Sequence, residues 1–246
     1  MRGRRQRERA RIAVRGRGMV VNVGSLFSGA GLLDSGLARA GFKHSWFCEI
    51  DPFARRVLSL RWPRVPVYED ARTVGPELTH VDLLAAGFPC TDISVSGQRA
   101  GLSGANSGLW TEVVRVVRQL RPRFVLVENV PSLLVRGMGT VVGDLAASGY
   151  DAEWDCFPAA AFGAPHLRAR LWLLAYPAGF GDGLPEGSVY AGRQGSFDGD
   201  WWASEPGVRR VDDGSADRVD RLRVLGNGVA APIAEWIGRR VMEVAS

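Results

Sequence analysis

The chain has 246 residues, 46% hydrophobic and 23% charged, with a formal net charge of +5; this suits one large globular domain, and a polyanionic partner is allowed but not demanded. No apolar run is long enough to span a bilayer, and the arginine-rich start lacks the apolar core of a secretory signal, so a cytoplasmic protein is expected. Its 3 cysteines, Cys48, Cys90 and Cys156, are too scattered for a disulfide framework or a zinc site, which points to a reducing compartment and no bound metal.

Residues 1–18 read as a disordered basic arm with Arg2, Arg4, Arg5, Arg7, Arg9, Arg11, Arg15 and Arg17. From Val20 onward, short apolar runs alternate with helical patterns. Strands are expected at Val20–Leu26, Ser45–Ile50, Val65–Tyr68, Val81–Ala86 and Phe124–Val127, and helices at Leu32–Ala40, Pro52–Leu60 and Leu109–Leu120. Pro52 suits the first helical position, where its missing N–H would be unpaired in any case. Two further strands are expected at Glu153–Phe157 and Leu171–Ala175, and a closing amphipathic helix at Val229–Val241. Between them the periodicity is lost to Gly, Asp, Pro and Ser. The alternation predicts a doubly wound, mostly parallel α/β sheet with helices on both faces. The expected division is a catalytic region over 19–176, an irregular insertion over 177–222 and a C-terminal helix over 223–246 that completes the catalytic region.

Several strand ends carry chemistry. Phe27-Ser28-Gly29-Ala30-Gly31 follows the first strand, and glycines at such a turn let a ligand approach the backbone. Glu49, followed by Ile50 and Asp51, ends the second strand, where an acid can accept both hydroxyls of a ribose. Asp70 ends the third, where a carboxylate can accept from an adenine amino group. No arginine is evident for a 2′-phosphate. These features allow either a nicotinamide cofactor or another adenosine-bearing one. Gly87-Phe88-Pro89-Cys90 ends the fourth strand, and proline restricts the turn that presents the thiol. Glu128-Asn129 ends an apolar fifth strand, so the acid should sit in a half-dry site with a raised pKa, ready to donate a proton.

These motifs, with Arg168-Ala169-Arg170 and Gly226-Asn227-Gly228-Val229, occur in the order of the DNA cytosine-5 methyltransferases, and the chain resembles that family, particularly its compact phage and actinobacterial members. The resemblance implies a Rossmann-like class I methyltransferase fold, S-adenosyl-L-methionine as cofactor and double-stranded DNA as partner. It implies that Cys90 adds to carbon 6 of a flipped cytosine. Glu128 protonates ring N3, Arg170 holds the cytosine O2, and Arg168 holds a phosphate or the nucleophile region. Phe27, Ser28, Gly29, Gly31, Glu49, Ile50, Asp51, Asp70, Pro89, Leu109, Asn227 and Val229 are expected around the cofactor. Ser94, Asn129, His166, Arg193, Arg209 and Arg210 are expected toward DNA. No obligate protein partner is evident, which suits a monomer, and a cognate restriction endonuclease fits the family.

The chain departs from the family pattern at Thr91, His166, Gly228 and Leu32, where glutamine, glutamine, serine and glycine are usual. None of these removes a reacting group. His166 is read as a hydrogen-bonding substitute rather than a base, since Glu128 already supplies the acid. His44 and His80 are read as ordinary surface or strand-end residues. The interval from Tyr176 to about Arg223, in the place of a target-reading domain, is too short for a core of its own. Its Arg193, Gln194, Arg209 and Arg210 can read base edges, and Trp201-Trp202 anchor it or stack on DNA, which implies a short or relaxed target. The alternatives are a transfer-RNA cytosine methyltransferase, an inactive DNA-binding homologue, for which the retention of Cys90 and Glu128 argues poorly, and a nicotinamide-dependent oxidoreductase, which leaves Pro-Cys and Glu-Asn-Val unexplained.

Overall fold

Parallel strands covered on both faces read as continuous apolar runs rather than alternating ones, and the runs here assemble accordingly. The computed structural model describes residues 21–89, 108–180 and 229–245. Within them, β1 (Asn22–Leu26), β2 (Lys43–Cys48), β3 (Val67–Tyr68), β4 (Leu83–Ala86), β5 (Phe124–Asn129), β6 (Tyr150–Pro158) and β7 (Ala169–Pro177) form one sheet. The strand order is β3-β2-β1-β4-β5-β7-β6. Strands β1 to β5 pair in parallel, whereas β7 runs antiparallel to both its neighbours, β5 and β6.

The helices are α1 (Leu32–Ala40), α2 (Pro52–Arg61), α3 (Leu109–Leu120), α4 (Leu133–Arg136), α5 (Met138–Ala147) and α6 (Ala231–Ala245), with a 3₁₀ turn at Ala159–Phe162. Helix α2 starts as its sequence dictates: Pro52 occupies the first turn, and the Asp51 carboxylate accepts the Ala54 N–H at 2.9 Å. Helix α3 buries Trp110, Val113, Val114, Val117 and Leu120, an apolar stripe at helical spacing.

The two faces of the sheet hold separate cores. On one, Leu84, Val125, Val127 and Leu173 pack with Trp110, Val113 and Val117 of α3 and Val141 and Leu145 of α5. On the other, Leu83, Leu126, Trp172 and Leu174 pack with Leu33 and Leu37 of α1 and Ile233, Ile237 and Val241 of α6. The expected three-layer α/β architecture is present.

Some boundaries differ from the sequence reading for physical reasons. Strand β2 stops at Cys48, because Glu49 and Ile50 turn out of the sheet into a cleft at its edge. Strands β6 and β7 are longer than their apolar centres, because they pair with each other from Tyr150↔Pro177 to Pro158↔Ala169. Helix α5 carries Gly139 and Gly143, which lower helix propensity, yet buries Met138, Val141 and Leu145 against the sheet. His44 is not a surface residue. Its side chain is 1% exposed, lies 3.1 Å from the buried Asp34 carboxylate of α1, and stacks on Phe47.

Close backbone approach locks α6 onto α1. A Cβ on Gly36 would lie 2.2 Å from the Ala231 carbonyl oxygen, and one on Gly238 would lie 2.7 Å from the Ala40 Cβ. Gly36→Ala must push the helices apart, and overpacking of this kind costs about 1–3 kcal/mol. Urea unfolding of Gly36→Ala should therefore show a lower midpoint with an unchanged slope; an unchanged midpoint would show that the seam yields without cost.

Candidate functional site

In open α/β sheets, ligands bind beyond the carboxyl ends of the strands. A cleft of about 560 Å³ occupies that edge. It is lined in turn by Phe27 to Ala30 after β1, Glu49 to Asp51 after β2, Asp70 after β3 and Gly87 to Pro89 after β4. Glu128 and Asn129 at the end of β5 complete this row. Because β7 is antiparallel, its beginning lies where the others end, and Arg170 enters the same cleft. Leu109 and Val229 line it as well.

At the β1–β2 side the backbone is shaped around one carboxylate. Phe27 has a positive φ of 56°, which non-glycine residues rarely adopt. The turn after it aims the Gly29 N–H at Glu49 Oε2, at 2.7 Å, while the Asp51 N–H donates to Oε1 at 2.8 Å. Both oxygens are thus oriented by backbone donors and retain lone pairs toward the cleft. Ile50 beside them is 62% exposed and gives the cleft an apolar wall. Asp51 lines the cleft, but one of its oxygens caps α2. Gly31 is not on the cleft wall. Its φ is 75°, and a Cβ there would meet Trp62 and Leu58, so this glycine serves the turn and its packing.

Asp70 is on the wall but already engaged. Arg72, two residues on, donates from Nε to both carboxylate oxygens at 3.0 Å and from Nη2 to Oδ2 at 2.7 Å. This hydrogen bonding holds the Asp70 carboxyl below its ordinary value. Arg72 itself lines the cleft beside Asp70, a neighbour that the sequence reading did not single out. The only sequence signal for it was the Asp-x-Arg spacing.

The other side of the cleft holds a buried acid between arginines. Glu128 is 8% exposed, and burial pushes its carboxyl up to about 7, although Arg170 and then Arg168 pull it down. Arg170 Nε lies 3.0 Å from Glu128 Oε1. Arg168 is half-buried, and its guanidinium is held below its usual value by burial first and by Arg170 second. Asn129, expected toward DNA, is buried. Its amide donates to the Phe88 carbonyl at 3.3 Å and its Oδ1 accepts the Val130 N–H at 2.7 Å, so it braces the turn that ends at Pro89. His166 is exposed, close in sequence to the arginine pair. Cys90, Ser94, Arg193, Arg209, Arg210 and Asn227 lie outside the described residues.

Among the described residues, two cysteines occur, and neither is activated. Burial pushes the Cys48 thiol up to about 12, helped by Glu49 and Asp70, and burial also raises Cys156. No group of His, Cys, Asp and Glu among the described residues is arranged to hold a metal ion. No helix among them is long and apolar enough to cross a membrane.

The family model described as C-5 cytosine-specific DNA methylase matches residues 21–183, which takes in every strand of this sheet. The chain is 37% identical over 163 residues to the type II methyltransferase M2.BsuMI of Bacillus subtilis, covering 63% of this chain and 42% of the relative. It is 31% identical over 188 residues to the type II methyltransferase M.CviJI of Paramecium bursaria Chlorella virus IL3A, covering 74% and 49%. The chain therefore spans about half the length of these curated relatives or less. Among solved structures, a DNA modification methyltransferase encoded within an Escherichia coli prophage superimposes with a TM-score of 0.53 at 29% identity, covering 64% of this chain and 47% of that one. Spodoptera frugiperda DNMT2 shares the fold with a TM-score of 0.55 at 16% identity, over 65% of this chain and 50% of its own. With the family model covering well over half of its residues and its strand ends carrying the motifs in order, the chain belongs to the C-5 cytosine-specific DNA methylase family.

Proposed function

We propose that the chain transfers a methyl group from S-adenosyl-L-methionine to carbon 5 of cytosine in double-stranded DNA, in the cytoplasm, as the modification partner of a restriction system or as an orphan. The observation that carries this reading is Glu128: a buried carboxyl with its pKa raised to about 7, ion-paired to Arg170, in one cleft with Pro89 and Glu49. A nicotinamide-dependent oxidoreductase would leave this acid and the Pro89-Cys90 sequence unexplained.

The residues present fit S-adenosyl-L-methionine. Glu49, oriented by two backbone donors, can accept the ribose hydroxyls, and the exposed Ile50 offers an apolar surface to a purine. Bound there, the cofactor supplies a methyl group activated on sulfur. The chain's own residues do the rest. Cys90, which follows Pro89 in sequence, adds through sulfur to cytosine carbon 6, and Glu128 delivers its proton to N3, so the ring does not carry a full negative charge. Carbon 5 then bears the electron pair that takes the methyl group. Glu128 takes back the N3 proton, and transfer of the carbon-5 proton to water restores the double bond as the carbon–sulfur bond breaks and the Cys90 thiolate leaves. In this reading Arg170 donates to the cytosine O2; its ion pair to Glu128 and the Asn129 bond to the Phe88 carbonyl, which braces the Pro89 turn, support it. Arg168 and His166 face the phosphates in this reading.

Three outcomes check it. Double-stranded oligonucleotides carrying 5-fluorocytosine should trap the protein covalently in the presence of the cofactor, since fluorine cannot leave as a proton does; an adduct that persists in Cys90→Ala would remove Cys90 from the mechanism. The second is calorimetric: S-adenosylhomocysteine should bind the wild type and bind Glu49→Ala at least tenfold more weakly, and tight binding of NAD in its place would return the oxidoreductase reading.

The third concerns pH. Glu128 is protonated below about pH 7 and ionised above it, so the donor form is lost as pH rises through that value. The pH profile of kcat/KM reports groups of the free enzyme. It should fall on the alkaline side with an apparent pKa near 7. Glu128→Gln should lose about 10²–10⁴-fold in rate and lack that limb. An alkaline limb that survives in Glu128→Gln would place the acid elsewhere.

A further inference from the structure

Asp70, the carboxylate that the methyltransferase reading assigns to the adenine amino group, is occupied by the protein itself. Oδ1 of Asp70 accepts from the Arg72 backbone N–H at 2.9 Å and from Nε at 3.0 Å; Oδ2 accepts from Nε at 3.0 Å and from Nη2 at 2.7 Å. A carboxylate offers about four acceptor positions, and one arginine fills them. Asp70 is 24% exposed and Arg72 60% exposed, so the pair sits at the open mouth of the cleft, and both residues line it.

We propose that Arg72 is a latch on the adenine subsite: its guanidinium holds Asp70 until an adenine amino group displaces it, which makes Arg72 a determinant of cofactor affinity. This rests on the methyltransferase reading. The alternative role for Arg72 would be to orient Asp70 for the purine. The backbone already does that, because the Arg72 N–H to Oδ1 bond closes an Asx-type turn that remains when the guanidinium leaves. Removing the side chain therefore frees acceptor positions without releasing the carboxylate. Asp70 stays ionised at neutral pH with or without Arg72, so protonation does not enter. The neighbouring acid, Glu69, is already paired to Arg55 at 3.0 Å. Arg72 is 60% exposed, so the released guanidinium has solvent to turn into.

An exposed ion pair is weak, so the latch is a modest one. Calorimetric titration of S-adenosylhomocysteine at neutral pH should give about two- to fivefold tighter binding for Arg72→Ala than for the wild type. Arg72→Lys, which keeps the charge but not the planar fork, should fall between them. Asp70→Asn should weaken binding, and adding Arg72→Ala to it should change nothing further, because the competition requires the carboxylate. Raising KCl should tighten binding to the wild type relative to Arg72→Ala, since salt screens the pair. Unchanged or weaker binding in Arg72→Ala, with the wild type binding normally, overturns the latch and makes Arg72 a support for Asp70. Absence of binding by the wild type overturns the methyltransferase reading and the latch with it.

Discussion

The reversed strand β7 is the constraint on which the site depends. Strands β1 to β5 deliver their carboxyl ends to one edge, and a parallel sheet of this kind can bring only the residues after each strand to that edge. By running antiparallel between β5 and β6, β7 instead delivers its beginning there. Glu128 stands opposite Trp172 in the register, so Arg170 lies diagonally across from it on the same face of the sheet. The ion pair at 3.0 Å results from that geometry. With β7 parallel, the arginine pair would emerge at the far edge and the acid would have no partner.

Burial, opposed by that pairing, sets the electrostatic character of the acid. Burial alone favours the neutral carboxyl, and a nearby guanidinium favours the ionised one. Here burial prevails, but only partly, and the carboxyl ends near neutrality, where a proton donor is most useful. The cost of a dry carboxylate is offset by Arg170, and Arg170 is itself presented by a strand whose flanking residues, Leu171 to Tyr176, are all buried. Rigid strands on both sides hold the two charges in place.

The β1–β2 end of the cleft is built on different principles. Its groups sit on turns, and the turns are anchored by backbone hydrogen bonds and by close packing. Glu49 takes two main-chain donors, one from the glycine turn after β1 and one from the start of α2. Behind the turn, Gly31 lets Leu58 and Trp62 come close, and Gly24 within β1 leaves room for the Trp46 ring, whose atoms would lie 2.1 Å from a Cβ. The helix α6 returns to α1 through Gly36 and Gly238, and that return brings Val229 onto the cleft wall. Small residues thus set the spacing of layers that carry the ligand-facing groups.

The sequence by itself determined the alternation of strands and helices, the helix start at Asp51-Pro52, the exit of the acids Glu49, Asp70 and Glu128 from strand ends, and the raised pKa expected of Glu128 from the apolar strand before it. These are legible because they depend on short-range chemistry: apolar runs, proline, glycine turns and caps act within a few residues. The tertiary structure decided what depends on residues far apart in the chain. It placed β7 between β5 and β6 and so joined Arg170 to Glu128, and it turned Asn129 inward onto the Phe88 carbonyl. It buried His44 against Asp34, which a polar residue at a strand start does not announce. It also moved Gly31 from the ligand side of its turn to the packing side, because the neighbours that decide this, Leu58 and Trp62, belong to the next helix and its end. Arg72 lies between the two cases: its spacing from Asp70 is local, but that their pair sits on the cleft wall is a property of the assembled sheet edge.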